Sequence, residues 1–219
     1  MRPAALAGGD AAARYPVQAA AGFLSQVDGL PDLGAAPFRF GERYRNSVEL
    51  VRNGLRTFTT TSVGRLFDAS AALLGFTREV TFEGQAAMWV EHLAQTASDS
   101  EPYSFPFSGE ELDFRPLLES LARDRCRGRD PAACARALQR GIAHGLCDAV
   151  AVLCETLGLD TVVLSGRVFQ NELLLRDIKS IIARERIRVW TNYSVPPNDG
   201  GISLGQAALA AFADRSGIR

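Results

Sequence analysis

From Ala132 to Ala213 the chain alternates between helical and strand-like stretches, and this order constrains the fold more than any other feature. Leu138, Ile142, Leu146, Val150 and Leu153 recur at helical spacing along a helix expected from about Ala132 to Leu157. An apolar run follows at Thr161–Ser165, then a helix from about Phe169 to Arg184 and a second run at Ile187–Thr191. The loop NYSVPPNDGG and a helix from Ile202 to Ala213 complete the series. Two strands joined by one helix pair in parallel, with the helix as crossover. An α/β class is therefore expected, with further helices upstream.

The alternation also fixes the positions of two turns. Ser165-Gly166-Arg167 lies between the first strand and its helix. Such a turn presents backbone N–H groups to an anion, and the helix dipole adds to them. Gly166 permits close approach, and Asn171, one turn further on, can bond a ribose hydroxyl or a phosphate. On spacing alone, an ordinary strand-to-helix connection is the simpler account. The second turn, Asn198-Asp199-Gly200-Gly201, is stiffened by Pro196 and Pro197. Its carboxylate serves equally as a helix cap or as one hard oxygen ligand for a divalent ion. One Asp does not make a metal site.

Upstream, helices are expected over Pro16–Val27, Glu42–Leu55, Thr59–Phe76 and Thr81–Ala97. In the third, Leu66, Phe67, Ser70, Leu73 and Leu74 form one face and Gly75 ends the helix. Asp68 points away from that face, either into solvent or into a cleft where it accepts ribose hydroxyl bonds. Glu83 and Gly84 open the next helix, where backbone can meet a nucleotide closely. SDSEPYSFPFSGEELDF reads as a region of short strands and turns. Residues 1–58 are expected to form a helical segment packed on a lobe made by residues 59–219.

The formal net charge of −1 gives no field to gather nucleic acid or an anionic membrane. No apolar run approaches a membrane span, and the N-terminus lacks a signal peptide's apolar core. A cytoplasmic address is expected. Cys126, Cys134, Cys147 and Cys154 contain no C-x-x-C pair and read as small buried hydrophobes. His92 and His144 form no H-x-x-x-H pair, and neither a Walker loop nor a G-x-S-x-G elbow occurs.

Four ordered stretches, TTSVGRLFDASAALLG, TFEGQAAMWVEHLA, VVLSGRVFQNELLL and VPPNDGGISLGQAA, together resemble the C-terminal part of the hydrogenase-maturation carbamoyltransferases (HypF). AGGDAAARYPVQAAAGFL near the start fits as well, so the resemblance covers nearly the whole chain. It implies a TsaD-like, ribonuclease-H-like lobe of the actin/sugar-kinase architecture. It further implies binding of ATP or carbamoyl adenylate and transfer of the carbamoyl group to a cysteine thiol of a HypE-like partner. Under the resemblance, Asp68, Glu83 and Gly84 meet the ribose and base, and Ser165, Gly166 and Asn171 line the nucleotide. Asp199 becomes the ligand of a divalent metal, zinc or iron, held weakly by this chain alone.

The family's acylphosphatase domain, YrdC-like domain and first lobe with paired histidine ligands have no counterpart in these residues. The resemblance therefore implies dependence on a first-lobe or YrdC-like chain, or self-association, and an inactive isolated chain. Arg167 also departs from the family, which has a glycine pair in this turn. A left-handed conformation there would strain an arginine by roughly 1–2 kcal/mol. Its side chain either fills phosphate space or pairs with phosphate. Three readings stay open: part of a carbamoyltransferase, a non-catalytic interaction protein of the same descent, and a remnant.

Overall fold

The computed structural model describes residues 1–9 and 11–216. Strand β1 (Ala4–Ala7) leads into the short helix α1 (Ala11–Arg14) and then α2 (Pro16–Leu24), whose every residue is buried. Helix α3 (Glu42–Arg52) is followed by strand β2 (Thr57–Thr60), antiparallel to β1 with Ala4 opposite Thr60. Helices α4 (Val63–Leu74) and α5 (Gln85–Gln95) come next, then a hairpin of β3 (Phe107–Ser108) and β4 (Glu111–Leu112). Helix α6 (Arg115–Cys126) precedes α7 (Pro131–Leu157), the longest. Strand β5 (Thr161–Leu164), helix α8 (Glu172–Ile182), strand β6 (Arg188–Thr191) and helix α9 (Ile202–Ser216) complete the order.

The expected alternation and the α/β class both hold. Strands β5 and β6 run parallel, Thr161 opposite Arg188 and Leu164 opposite Thr191, with α8 as crossover. Helix α7 starts at a Pro in its first turn, capped by Asp130, and stops at Gly158 in the left-handed region (φ 65°). Its buried face includes Gly141 and Gly145, where the backbone carbonyls of Tyr103 and Phe105 press so close that a Cβ would collide with them. The 103–105 segment is anchored there by Tyr103 N donating to Ala137 O, 3.1 Å.

The core lies among β1, α2, α4, α6 and α7. Phe23, Phe67, Phe76, Phe114, Leu117, Leu121, Leu138 and Ile142 are fully buried. Phe23 meets Phe114 edge-on at 4.8 Å, the arrangement that ring quadrupoles favour.

Several expectations are corrected. Thr59 belongs to β2 and does not begin a helix; the strand-favouring threonine and phenylalanine run Thr57–Thr60 pairs with β1, and α4 starts only at Val63, after Ser62 as N-cap. The 1–58 segment is not purely helical, since it carries β1. Helix α6, unanticipated, buries Leu117, Leu118, Leu121 and Ala122. The apolar face of α7 does not stay buried to its end: Leu138 and Ile142 are fully covered, but Leu153 is 47% exposed. Cys134, Cys147 and Cys154 are buried free thiols, whereas Cys126 is exposed. No helix among the described residues is long and apolar enough to cross a membrane.

Candidate functional site

Two crevices meet at Arg167. The first, about 320 Å³, lies between α4, the start of α5 and the turn after β5. Arg65 and Asp68 of α4, Glu83, Gly84 and Glu91 around α5, and Val168 and Asn171 line it. The second, about 360 Å³, is bounded by Ser165, Gly166, Asn192, Pro196, Pro197, Asn198 and Asp199. Arg167 lines both. Of the residues singled out in the sequence, Asp68, Glu83, Gly84 and Asn171 thus share one crevice. Ser165, Gly166 and Asp199 share the adjoining one.

The turn after β5 explains how an arginine is accommodated. Gly166 carries the positive φ, 102°, which its missing Cβ allows. Arg167 opens a 3₁₀ turn, Arg167–Gln170, and is not among the positive-φ residues. The strain expected of an arginine here does not arise. Its guanidinium instead joins Glu83, through Nη1 to Oε1, and Asp199, through Nη2 to Oδ2. The Arg167 hydrogen bond holds the Glu83 carboxyl below its ordinary pKa, against a smaller opposing effect of burial. Both carboxylates are largely exposed, and ion pairs of that kind contribute little to stability.

Asn171 is 9% exposed and is the N-cap of α8; its Oδ1 accepts from Leu174 N at 2.8 Å. Glu91 Oε1 accepts from Leu173 N at 3.1 Å. Side chains therefore already take these two first-turn donors of α8. Only the resemblance set this helix start against a phosphate; the 3₁₀ turn, Arg167 and the amide N–H₂ of Asn171 are what remain for an anion.

Asp68 is not solvated. It is 4% exposed, and α4 is buried on every side from Leu66 to Leu74. Burial pushes its carboxyl up to about 7, and the Arg65 guanidinium offsets part of that. Arg65 Nη1 stands 2.9 Å from Asp68 Oδ2, within ion-pair range, yet neither atom has a hydrogen bond of acceptable geometry. Asp68 thus lines the first crevice while this oxygen, sealed from solvent, faces Arg65.

No three His, Cys, Asp or Glu side chains among the described residues converge to hold a metal ion. Asn198 Oδ1 accepts from Gly200 N at 2.9 Å, and the Asp199 carboxylate is on Arg167. The residues present do not assemble a divalent-ion site. His92, on α5, and His144, on α7, line neither crevice.

Sequence reasoning missed Arg65 and Glu91. The i,i+3 spacing of Arg65 and Asp68 signals a helical ion pair. Glu91 gave no local signal, because it caps a helix 82 positions away in sequence.

A family model described as "Carbamoyltransferase, Kae1-like Domain, second subdomain" matches residues 1–206. Carbamoyltransferase HypF of Rhodobacter capsulatus is 35% identical over 215 residues, which is 96% of this chain and 27% of that protein. HypF of Rhizobium leguminosarum bv. viciae is 32% identical over 211 residues, 96% of this chain and 27% of that one. The chain thus spans little more than a quarter of the length of these relatives. A solved full-length HypF in a phosphate- and nucleotide-bound form superposes with a TM-score of 0.86 at 30% identity, over 99% of this chain and 34% of that one.

Proposed function

Since this chain belongs to the HypF carbamoyltransferase family, as the second subdomain of its Kae1-like domain, we propose that it forms one wall of a site that binds ATP or carbamoyl adenylate and serves carbamoyl transfer to a protein thiol. The observation carrying this reading is the meeting of four separated stretches at Arg167: Asp68, Glu83–Gly84, Ser165–Asn171 and Asp199. A solved relative captured with phosphate and nucleotide adds support.

In this reading Asp68 accepts a ribose hydroxyl, and Gly84 lets the sugar approach the backbone. The amide N–H₂ of Asn171 donates to ribose or phosphate, because its oxygen is held by the cap. Ser165 and Gly166 border the phosphate. The thiolate of a HypE-like acceptor attacks the carbamoyl carbon, an S–C bond forms, and the C–O bond to the adenylate phosphate breaks with AMP as leaving group. The nucleophile belongs to the partner, consistent with the raised pKa of buried Cys134 and Cys147 here, whose thiols burial keeps protonated.

The chain binds in this scheme but completes catalysis only with a complementary lobe, supplied by a first-lobe or YrdC-like chain or by self-association. A non-catalytic interaction role is the second reading, favoured by the exposed Val163, Trp190 and Leu209 (63%, 62% and 73%). The deciding experiment follows carbamoylation of the acceptor thiol by mass spectrometry, with ATP, carbamoyl phosphate and a YrdC-like enzyme. This chain should support transfer only when a complementary lobe is added. No transfer with every component present would leave the interaction reading.

A further inference from the structure

The resemblance assigns a divalent ion to Asp199, but in this chain a guanidinium already stands against that carboxylate. We propose that Arg167 takes the ion's electrostatic place: it is the fixed cation of the crevice and binds the phosphoryl oxygens of an adenylate without a divalent metal. The inference rests on the adenylate reading above and concerns how that site handles phosphate charge.

Position supports it. Arg167 follows Gly166 directly and borders the crevice of Asn171, that of Ser165, and a third opening of about 690 Å³ toward Gly9 and Thr60. A phosphate reaching the turn from any of these meets the same side chain. Chemistry supports it too. Guanidinium offers a planar fork of donors that matches two phosphate oxygens and stays charged at any ordinary pH.

The charge arrangement points the same way. Glu83 and Asp199 would both repel a phosphate at this junction, and Arg167 lies between them. Those carboxylates are 66% and 76% exposed, so water replaces the guanidinium readily when a phosphate takes it over. The other arginine of the first crevice, Arg65, is held against buried Asp68. The competing account, in which Arg167 merely fills the phosphate space, predicts the opposite response to its removal.

Isothermal titration of the chain with adenosine and with AMP, in magnesium and in EDTA, separates these accounts. Arg167→Lys and Arg167→Gly are compared with the unaltered chain, and thermal melts confirm that all three are folded. Adenosine should bind all three alike. AMP should bind the unaltered chain equally in magnesium and EDTA. It should bind Arg167→Gly about tenfold more weakly or worse, with Arg167→Lys between, as expected for loss of a charge-assisted fork. AMP binding that EDTA abolishes, or that is as tight or tighter in Arg167→Gly, would overturn the proposal while leaving the adenylate reading intact. Failure of adenosine itself to bind any form would remove both.

Discussion

The two walls of the crevice are built differently. Asp68 and Gly84 stand on or beside α4 and α5, helices with buried core faces, and α5 also packs on α7. Ser165, Gly166 and Asp199 hang on turns around a two-stranded parallel sheet. One face of that sheet shows Val163 and Trp190, cross-strand neighbours that are 63% and 62% exposed. Helix α9 begins just after Asp199 and exposes Ile202, Leu204 and Leu209. The well-packed wall holds the groups proposed to meet sugar and base. The other wall, whose sheet and last helix leave large apolar side chains exposed, holds those proposed to meet phosphate.

The sharpest way to break this contrast is to cut each wall's apolar support. Phe114→Ala, in the body, should cost about 3–5 kcal/mol of unfolding free energy in urea titration, because it empties a fully buried site and removes the ring contact with Phe23. Trp190→Ala should change stability by no more than about 0.5 kcal/mol. Equal effects would erase the distinction.

Asp68 tests the well-packed wall by pH. Its carboxyl is held protonated up to about 7 in the fold against 3.8 when unconstrained. The stability its protonated form provides is complete below pH 3.8, falls as pH rises through that window, and levels off above about 7. Asp68→Asn mimics the protonated form at every pH. It should match the unaltered chain near pH 4 and exceed it at pH 8 by roughly 2–4 kcal/mol in denaturant titration. Equal stability at both pH values would show that Asp68 ionises freely.

Asn171 separates support from binding at the junction. Asn171→Ala should cost about 1 kcal/mol through loss of the cap. Asn171→Asp should keep the cap and the stability while weakening AMP binding, because a carboxylate replaces the donor facing the phosphate. Unchanged AMP affinity in the Asp variant would take Asn171 out of the site.

The C-terminal alternation was legible because α7 and α8 are long enough to show period, and β5 is a short apolar run bounded by Gly158 and Gly166. The candidate residues were proposed from motif order, and the structure brings them to two adjoining crevices. Strand β1 was hidden, because Ala4, Ala5 and Ala7 have no strand preference and become a strand only by pairing with Thr57–Thr60, which lies far along the chain. The burial of Asp68 was hidden for a related reason. Helical periodicity shows which face is apolar, not whether other helices also cover the polar one. Arg167 was recognised as anomalous, but its two acidic partners come from different stretches, and no local pattern announces such a convergence.

Helix α7 buries its first half and leaves one side of its last turns in solvent, with Val152 48% and Leu157 64% exposed while Cys154 stays covered. It is seated at Gly141 and Gly145, which receive the carbonyls of Tyr103 and Phe105, and again along α8, where Cys147 Sγ donates to Ile178 O. Leu157 lies about 18 Å beyond Gly145, at ~1.5 Å per residue, so a tilt of about 5° at the glycines would carry the tip sideways by about 1.5 Å. The tip leads directly into β5 and its glycine turn. A Cβ added at either glycine would therefore disturb the placement of β5 as well as the seat of the 103–105 segment.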